Sequence, residues 1–262
     1  MLNISEKKRI VIKLGTSTLT HKTGRLNIRR MENLVKVMAD LQNSGKEIVI
    51  VSSGAVGLGV GKLGLREKPT DTPTKQACAA VGQCELMHLY EDQFDKYGIS
   101  VGQILLTKTI IENERLKNVE NTFERLISMG VVPVVNENDT VAIDELELEI
   151  GENDSLSAIV AKIAKADLLV ILSDIDGLYD SDPHKNPEAH LIPVVTEIDE
   201  HIEDVAGGAG SALGTGGMRT KINAAKIANE AGIDMIIMNG DNPDKLYELF
   251  ENNQTGTIFI AH

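Results

Sequence analysis

Two lysines in the sequence each lie in a short segment that also contains glycine and hydroxyl-bearing residues. One lies in Lys13-Leu14-Gly15-Thr16-Ser17, and the other ends the run Gly214-Thr215-Gly216-Gly217-Met218-Arg219-Thr220-Lys221. Exposed backbone N–H groups beside a cation bind anions, and a glycine loop that leads into a helix suits nucleotide phosphates. Lys13 could instead snorkel from the end of a strand, and the second run could be a flexible loop with a helix cap. We interpret both as phosphate-binding segments.

A third segment, Ser52-Ser53-Gly54-Ala55-Val56-Gly57-Leu58-Gly59, follows an apolar run and is expected to open a helix. The free N–H groups of a helix N-terminus attract anions. A tight turn capped by serine explains the same residues about as well. The three glycines favour close approach of a ligand to the backbone.

Polar clusters follow two later apolar runs. Asn136-Glu137-Asn138-Asp139-Thr140 comes after one of them, and Gly151-Glu152-Asn153-Asp154-Ser155 then precedes a helical pattern. Ser173-Asp174 follows another apolar run. A turn and a helix cap could explain the first two clusters separately. Their combined polar density favours a binding surface for a group such as an amine.

The elements that must position these segments can be predicted from periodicity. Short runs rich in Val and Ile alternate with stretches of helical spacing, which is typical of βαβ units around a mostly parallel sheet. Open α/β sheets bind ligands at the carboxyl ends of their strands, where all these segments should lie. The predicted strands are 9–14, 47–52, 100–106, 131–135, 168–173, 235–238 and 257–260. The predicted helices cover 28–41, 116–126, 156–163, 218–231 and 243–251.

The chain shows no linker, repeat or abrupt change of composition, so we expect one α/β domain over residues 1–262. Residues 174–217 contain Asp-Pro and Asn-Pro steps and the run Gly207-Gly208-Ala209-Gly210, which break the periodicity. We predict a long irregular insert there that closes over bound substrates.

Several familiar motifs are incomplete. Gly61-Lys62 lacks the earlier glycine and the hydroxyl residue of a P-loop, and residues 59–64 match a dinucleotide fingerprint only at the wrong distance from the strand. Asp174-Ile175-Asp176-Gly177 lacks the remaining ligands of a calcium loop. The six histidines are scattered, and the two cysteines have no zinc or redox spacing. We therefore expect no metal site made of protein side chains.

Composition narrows the classes of function. The chain is 42% hydrophobic and 25% charged, as in ordinary globular proteins. A formal net charge of -13 disfavours binding to nucleic acid or to anionic membranes, and 3% aromatic residues leave few surfaces for base stacking. No apolar run is long enough to span a membrane. The N-terminal residues lack the apolar run of a secretory signal peptide. We expect a cytoplasmic protein that acts on small molecules.

Together and in this order, the segments resemble the amino-acid kinase family over essentially the whole chain. The most specific pieces are Ser53-Gly54-Ala55, Asn136-Glu137-Asn138-Asp139, Gly151-Glu152-Asn153-Asp154 and the run from Gly214 to Lys221. The resemblance implies a three-layer αβα sandwich with a mostly parallel central sheet. It also implies ATP-dependent phosphorylation of the γ-carboxylate of L-glutamate, the first step of proline biosynthesis.

The resemblance also implies site residues. Lys13 and Lys221 would be the catalytic lysines, oriented by Asp154. ATP would be bound by Lys13, Gly15, Ser173, Asp174, Thr215, Gly216, Gly217, Met218, Arg219, Thr220 and Lys221. Glutamate would be bound by Ser53, Gly54, Ala55, Asp139 and Asn153. Mg2+ would arrive on the nucleotide phosphates, and the serine of Ser173-Asp174 replaces the family's usual threonine while keeping a hydroxyl.

Further implications concern partners and domains. The resemblance implies feedback inhibition by proline, transfer of the product to glutamyl phosphate reductase, and a homo-oligomer. Many members carry an additional C-terminal PUA domain, which we expect to be absent here because the chain ends at His262. A sibling kinase with another acidic substrate and a non-catalytic amino-acid or nucleotide sensor are the alternatives.

Overall fold

The fold is built on one central sheet. The structure, a computed structural model, describes residues 3–21, 25–107, 115–141, 153–183, 185–208, 217–253 and 255–262. The strands in these ranges are β1 (Arg9–Leu14), β2 (Glu47–Ser52), β3 (Val101–Leu106), β4 (Val132–Glu137), β5 (Leu168–Ser173), β6 (Val194–Val195), β7 (Asp234–Asn239) and β8 (Thr257–Phe259). They form an 8-stranded sheet in the order β3-β4-β2-β1-β5-β7-β8-β6. All neighbouring pairs for which a register is given are parallel except β7 and β8, so the predicted mostly parallel sheet is confirmed.

Helices connect the strands and cover the sheet. In the described ranges they are α1 (Thr16–Leu19), α2 (Ile28–Asn43), α3 (Ala55–Lys62), α4 (Thr72–Asp95), α5 (Leu116–Ser128), α6 (Asn153–Ile163), α7 (Glu200–Gly208), α8 (Met218–Glu230) and α9 (Lys245–Phe250). A 3-10 helix, Ile4–Glu6, precedes β1. Two long helices begin at side-chain caps, where Asn27 accepts from the backbone of Arg30 and Asp71 accepts from that of Thr74.

Two hydrophobic cores lie on opposite faces of the sheet. Along β1, Ile10 and Ile12 point into one core and Val11 points into the other, and all three are fully buried. Helices α2, α4 and α9 supply the first core, and α5, α6 and α8 supply the second. Coverage on both faces explains why the strands are apolar throughout rather than alternating. The predicted three-layer arrangement is confirmed.

The structure contains elements that the sequence analysis did not predict. The short helix α1 and helix α4, the longest described helix, are two of them. The prediction of a wholly irregular insert over residues 174–217 was wrong in part, because β6 and α7 lie within it. Residues 209–216, which include Ala209 and Gly210 of its glycine run, lie outside the described residues. Among the helices that are described, none has the length and hydropathy needed to cross a membrane.

Candidate functional site

The two predicted catalytic lysines meet on one carboxylate at the carboxyl end of the sheet. Lys13 lies next to the end of β1, the central strand, and Lys221 lies in the first turn of α8. Their Nζ atoms are 2.7 Å and 3.2 Å from the two carboxylate oxygens of Asp154, the second residue of α6. Asp154 is fully buried. The structure therefore brings together three residues that are far apart in the sequence.

Electrostatics keep this carboxylate ionised. Burial by itself raises the pKa of Asp154, but the charges of Lys13 and Lys221 and a hydrogen bond from Thr220 outweigh it, so that the pKa lies below its usual value. Thr220 Oγ1 is 2.9 Å from Asp154 Oδ2 and 2.8 Å from the carbonyl oxygen of Gly217. The cluster has two positive charges and one negative charge, which leaves a net positive site for an anion.

Two predicted nucleotide segments flank the lysines. A Cβ atom at Gly15 would lie 3.7 Å from Lys13 Nζ, so the backbone there passes close to the ammonium group. At the end of the neighbouring strand β5, Ser173 Oγ donates to Asp174 Oδ1 at 3.2 Å. The Ser173 carbonyl accepts from Gly240 N at 2.8 Å, which ties β5 to the residue after β7.

The glycine run before α8 is described only from Gly217 onward, which immediately precedes the helix. Thr215 and Gly216, both predicted to bind ATP, lie outside the described residues. The side chain of Met218 is buried in the hydrophobic core, whereas that of Arg219 is exposed. Of these two predicted ATP ligands, only Arg219 presents its side chain to solvent.

A cavity of about 320 Å3 opens near the same end of the sheet. Its lining includes Asp176 and Tyr179 after β5, Asn239 at the end of β7, and Lys245 on α9. Thr255 also lines it, and its hydroxyl is buried without a hydrogen-bond partner among the described residues. The cavity therefore combines apolar walls with donors and acceptors suited to a heterocyclic base.

The predicted substrate residues gather at the ends of β2 and β4. Gly54 has φ +105°, a left-handed conformation that glycine adopts readily, and it turns the chain from β2 into α3 at Ala55. Asn153 Nδ2 lies 2.8 Å from Ser53 Oγ. Asp139 lies in the turn just beyond β4, at the same end of the sheet. The predicted glutamate residues thus share one edge with the lysines.

Sequence reasoning missed the support beneath this site. On α4, Gln83 Oε1 accepts a hydrogen bond from Asn136 Nδ2 at 3.0 Å, and Tyr90 shares a hydrogen bond of 2.9 Å with Ser52 Oγ. Burial raises the pKa of Tyr90, which keeps its hydroxyl protonated. The sequence does place this glutamine and this tyrosine at helical spacing, in a segment that contains many small residues. Because helix α4 was not predicted, the two side chains could not be assigned to a helix face that packs under the site.

The charged side chains do not form a metal centre of their own in the part of the chain that the structure describes. No group of three His, Cys, Asp or Glu side chains there could hold a metal ion. The acidic residue at the centre of the site, Asp154, is already engaged by two lysines. This arrangement suits a metal that arrives with a substrate.

Comparison with known proteins decides the family. A sequence model described as the amino acid kinase family matches residues 8–239. The chain belongs to the amino acid kinase family. This amino acid kinase is 53% identical over 261 residues to the glutamate 5-kinase of Clostridium perfringens, a match that covers 98% of this chain and 97% of that protein. It is also 53% identical over 254 residues to the glutamate 5-kinase of Carboxydothermus hydrogenoformans, where the match covers 96% of this chain and 68% of that protein.

Solved structures of amino acid kinase type share the fold. A carbamate kinase from Giardia lamblia bound to AMP-PNP has a TM-score of 0.68 at 17% identity, and the match covers 98% of this chain and 100% of that chain. The isopentenyl phosphate kinase of T. acidophilum in a product complex has a TM-score of 0.65 at 18% identity, with 96% and 100% covered. Together with the family match, these similarities confirm the predicted family and the predicted fold.

Proposed function

We propose that the chain transfers the γ-phosphoryl group of ATP to the γ-carboxylate of L-glutamate, forming L-glutamyl 5-phosphate for proline biosynthesis. The observation that carries the proposal is the pair of lysine ammonium groups held on the two oxygens of one buried carboxylate. The high identity to proteins named glutamate 5-kinase supports the choice of substrate.

The chemistry requires cations more than a base. A γ-carboxylate has a reference pKa of about 4.3, so at neutral pH it is already an ionised nucleophile. The difficulty is to bring it to a polyanionic nucleotide and to stabilise the charge that spreads over the transferred phosphoryl group. This explains why no histidine is needed beside the lysines.

Lys13 and Lys221 can perform this stabilisation while they are held by Asp154. An ammonium group has three N–H donors, so a lysine that gives one to a carboxylate can still donate to phosphate oxygens. Asp154 fixes the two ammonium groups in advance, which lowers the reorganisation needed in the transition state. We assign Asp154 the role of orienting both lysines.

The nucleotide would lie along the ends of β1, β5 and β7. Gly15 and the start of α8 face the phosphates in this proposal, and Ser173 and Asp174 lie beside the nucleotide. The cavity lined by Tyr179, Asn239 and Lys245 would take the base. Mg2+ would enter as the magnesium complex of ATP and would neutralise part of the phosphate charge.

Glutamate would lie along the ends of β2 and β4. Ser53 and the backbone at Gly54 and Ala55 suit a carboxylate, because the first N–H groups of α3 have no partner within the helix. Asn153 and Asp139 offer oxygen acceptors for the ammonium group. The two substrates would then approach each other over Lys13.

The finer expectations belong to the same proposal. They are inhibition by proline, transfer of the acyl phosphate to a reductase, a homo-oligomer and a cytoplasmic location. Proline added to the assay below and sedimentation of the purified protein test the first and the third.

The deciding experiment traps acyl phosphate with hydroxylamine. Magnesium ATP is offered with L-glutamate, N-acetyl-L-glutamate, L-aspartate or UMP, and ADP release is followed in parallel. We expect hydroxamate with L-glutamate alone. ADP release with another substrate would move the specificity to a sibling kinase, and no turnover in folded, ATP-binding protein would favour a sensor.

A further inference from the structure

Helix α4 carries an unassigned glutamine to the rear of the glutamate site. The helix packs so tightly on α3 that a Cβ atom at Gly82 would lie 1.7 Å from the carbonyl oxygen of Ala55. The next residue, Gln83, is 8% exposed, and its Oε1 accepts from Asn136 Nδ2 at 3.0 Å. Gln83 is thus buried directly behind the residues proposed to bind substrate.

A chain of amide groups leads from Gln83 to the substrate side. Asn136 Oδ1 accepts from Asn153 Nδ2 at 3.1 Å. The same Nδ2 lies 3.0 Å from the carbonyl oxygen of Ser52 and 2.8 Å from Ser53 Oγ. Since an amide has its donors and its acceptor on different atoms, each contact in this chain restricts the orientation of the next amide.

The direction of the chain is fixed at its two ends. The Ser52 carbonyl can only accept, so it requires Asn153 to present Nδ2 and to turn Oδ1 the other way. The same NH2 group offers only hydrogens to Asn136, so Asn136 meets it with its oxygen and turns its own NH2 group the other way, where that donor needs an acceptor. Gln83 Oε1 is that acceptor.

The donor atom of Gln83, Nε2, supports this orientation of the three amides. Its Nε2 is buried and makes no hydrogen bond within the residues that the structure describes. A buried donor without a partner destabilises a fold. Turning the glutamine round would put its NH2 group against the NH2 group of Asn136, so the orphaned donor results from the orientation that the chain imposes.

We propose that Gln83 is a positioning residue for the amino-acid substrate, which acts through Asn136 to hold Asn153 with Oδ1 turned toward the substrate ammonium group. This inference rests on the proposed function. An ammonium group can only donate, so Asn153 must meet it with oxygen. If the Asn136 amide could turn, its NH2 group would face the NH2 group of Asn153 and push that amide away from Ser52 and Ser53, so Asn153 Oδ1 would no longer be held where the ammonium group binds.

The test is the variant Gln83→Met, which keeps the side-chain volume but removes the acceptor. We expect the KM for L-glutamate to rise about tenfold, as for the loss of one well-made polar contact, while kcat and the KM for ATP change less than about twofold. Gln93→Met is the matched control, because Gln93 lies on the same helix and bonds only to Asp92 and Lys96 among the described contacts. It should leave all three constants unchanged.

A double-variant cycle separates positioning from support of the fold. If Gln83 acts through Asn153, Gln83→Met in an Asn153→Ala background should add less than about twofold to the KM for glutamate. Calorimetric titration of glutamate gives the same comparison where turnover is too slow. The proposal would be overturned if the effects of Gln83→Met and Asn153→Ala on the KM for glutamate multiply in the double variant. It would also be overturned if Gln83→Met raises the KM for ATP as much as that for glutamate, or leaves the KM for glutamate unchanged.

Thermal unfolding of each variant shows whether the fold survives. Wild-type turnover is measured first, and its failure with glutamate would reject the proposed function. Normal wild-type turnover with an unaltered Gln83→Met variant rejects the positioning role alone.

Discussion

Asp154 is the residue that joins the two lysines of the candidate site, because one buried carboxylate holds two ammonium groups that approach from different elements. Lys13 comes from the central strand and Lys221 from a helix on one face of the sheet. Neither lysine could be held in place by burial alone, since an isolated buried ammonium group is unfavourable. The ion pairs with Asp154 therefore position the two lysines and also offset part of their charge.

The first prediction concerns Lys221→Ala. In the proposed mechanism Lys221 stabilises the transferred phosphoryl group, so its removal should lower kcat about a hundredfold or more, with little change in the KM for glutamate. Lys226→Ala is the control on the same helix, because Lys226 is partly exposed and pairs with Glu203. Steady-state kinetics with both substrates varied give the answer, and a change confined to the KM values would contradict it.

The second prediction concerns acid. The pKa of Asp154 is lowered in the folded protein, so its stabilisation is fully present above its unfolded value of about 3.9 and is lost as pH falls through the folded value. At neutral pH, Asp154→Asn should lower the free energy of unfolding by about 3 kcal/mol, because two buried cations lose their partner. The difference from wild type should begin to shrink below about pH 4, where the carboxyl of the unfolded chain takes up a proton, and should shrink further until the folded carboxyl is protonated as well.

Urea unfolding at a series of pH values measures that difference. The exposed Asp92→Asn serves as the control on the same chain, since Asp92 lies 3.9 Å from Lys96 at the surface and should be worth little. A difference between Asp154→Asn and wild type that is equal at pH 3 and pH 7 would be incompatible with a lowered pKa.

At the scale of elements, the contact between α3 and α4 positions the residues of the proposed glutamate site. Cβ atoms at Gly59 and Gly82 would lie 1.9 Å and 1.7 Å from backbone oxygens of the opposite helix. Glycine at both positions therefore lets the two backbones touch. Because α3 begins at Ala55, any displacement of α4 is transmitted to the residues proposed to bind glutamate.

The third prediction follows from that contact. Gly82→Ala should separate the two helices, destabilise the protein by about 2 kcal/mol or more, and raise the KM for glutamate. Gly61→Ala is the matched control on α3, where a Cβ atom meets nothing within 4 Å. It should stabilise the protein by up to about 1 kcal/mol, because alanine favours the helix. Equal melting temperatures for the two variants would argue against the close approach.

The same contact explains which elements could be predicted from the sequence. Apolar strands such as β1 and β5 are buried on both faces, so their composition alone identified them. Helix α4 faces a neighbour with Cys78, Ala79 and Gly82, which are too small to produce a clear apolar stripe. Strand β6 has two residues, and pairing with β8 defines it rather than its own composition.

The contacts within the candidate site were predictable to a similar extent. The sequence motifs singled out Lys13 and Lys221, and the family resemblance added Asp154; the structure places the three in contact, while their catalytic roles stay predictions. Gln83 was not singled out, because its proposed role depends on which side of a helix it occupies and on a partner in a distant strand. The closure of residues 174–217 over the substrates stays a prediction.

For the whole molecule, the central position of β1 joins the two substrate regions. Strands β2 and β4 on one side lead to the proposed glutamate site, and β5 and β7 on the other lead to the proposed nucleotide site. Each hydrophobic core also contains residues from both sides of β1. The two regions share one sheet and one pair of cores.

The fourth prediction is therefore a single cooperative unfolding transition. Circular dichroism and tyrosine fluorescence, recorded during urea unfolding, should give coincident midpoints. Glutamate and a non-hydrolysable ATP analogue should each move the whole transition to higher urea, since both bind only the folded state. Two transitions, one shifted by each ligand, would indicate two separate domains.

The distance along the chain between Lys13, Asp154 and Lys221 also governs when activity can arise during synthesis. The ribosome releases β1 early, α6 later, and α8 only after most of the chain has emerged. Domains fold as units once their parts are available. A nascent chain that lacks α8 cannot complete the lysine pair, so under the proposed mechanism growing polypeptides would not consume ATP before synthesis is finished.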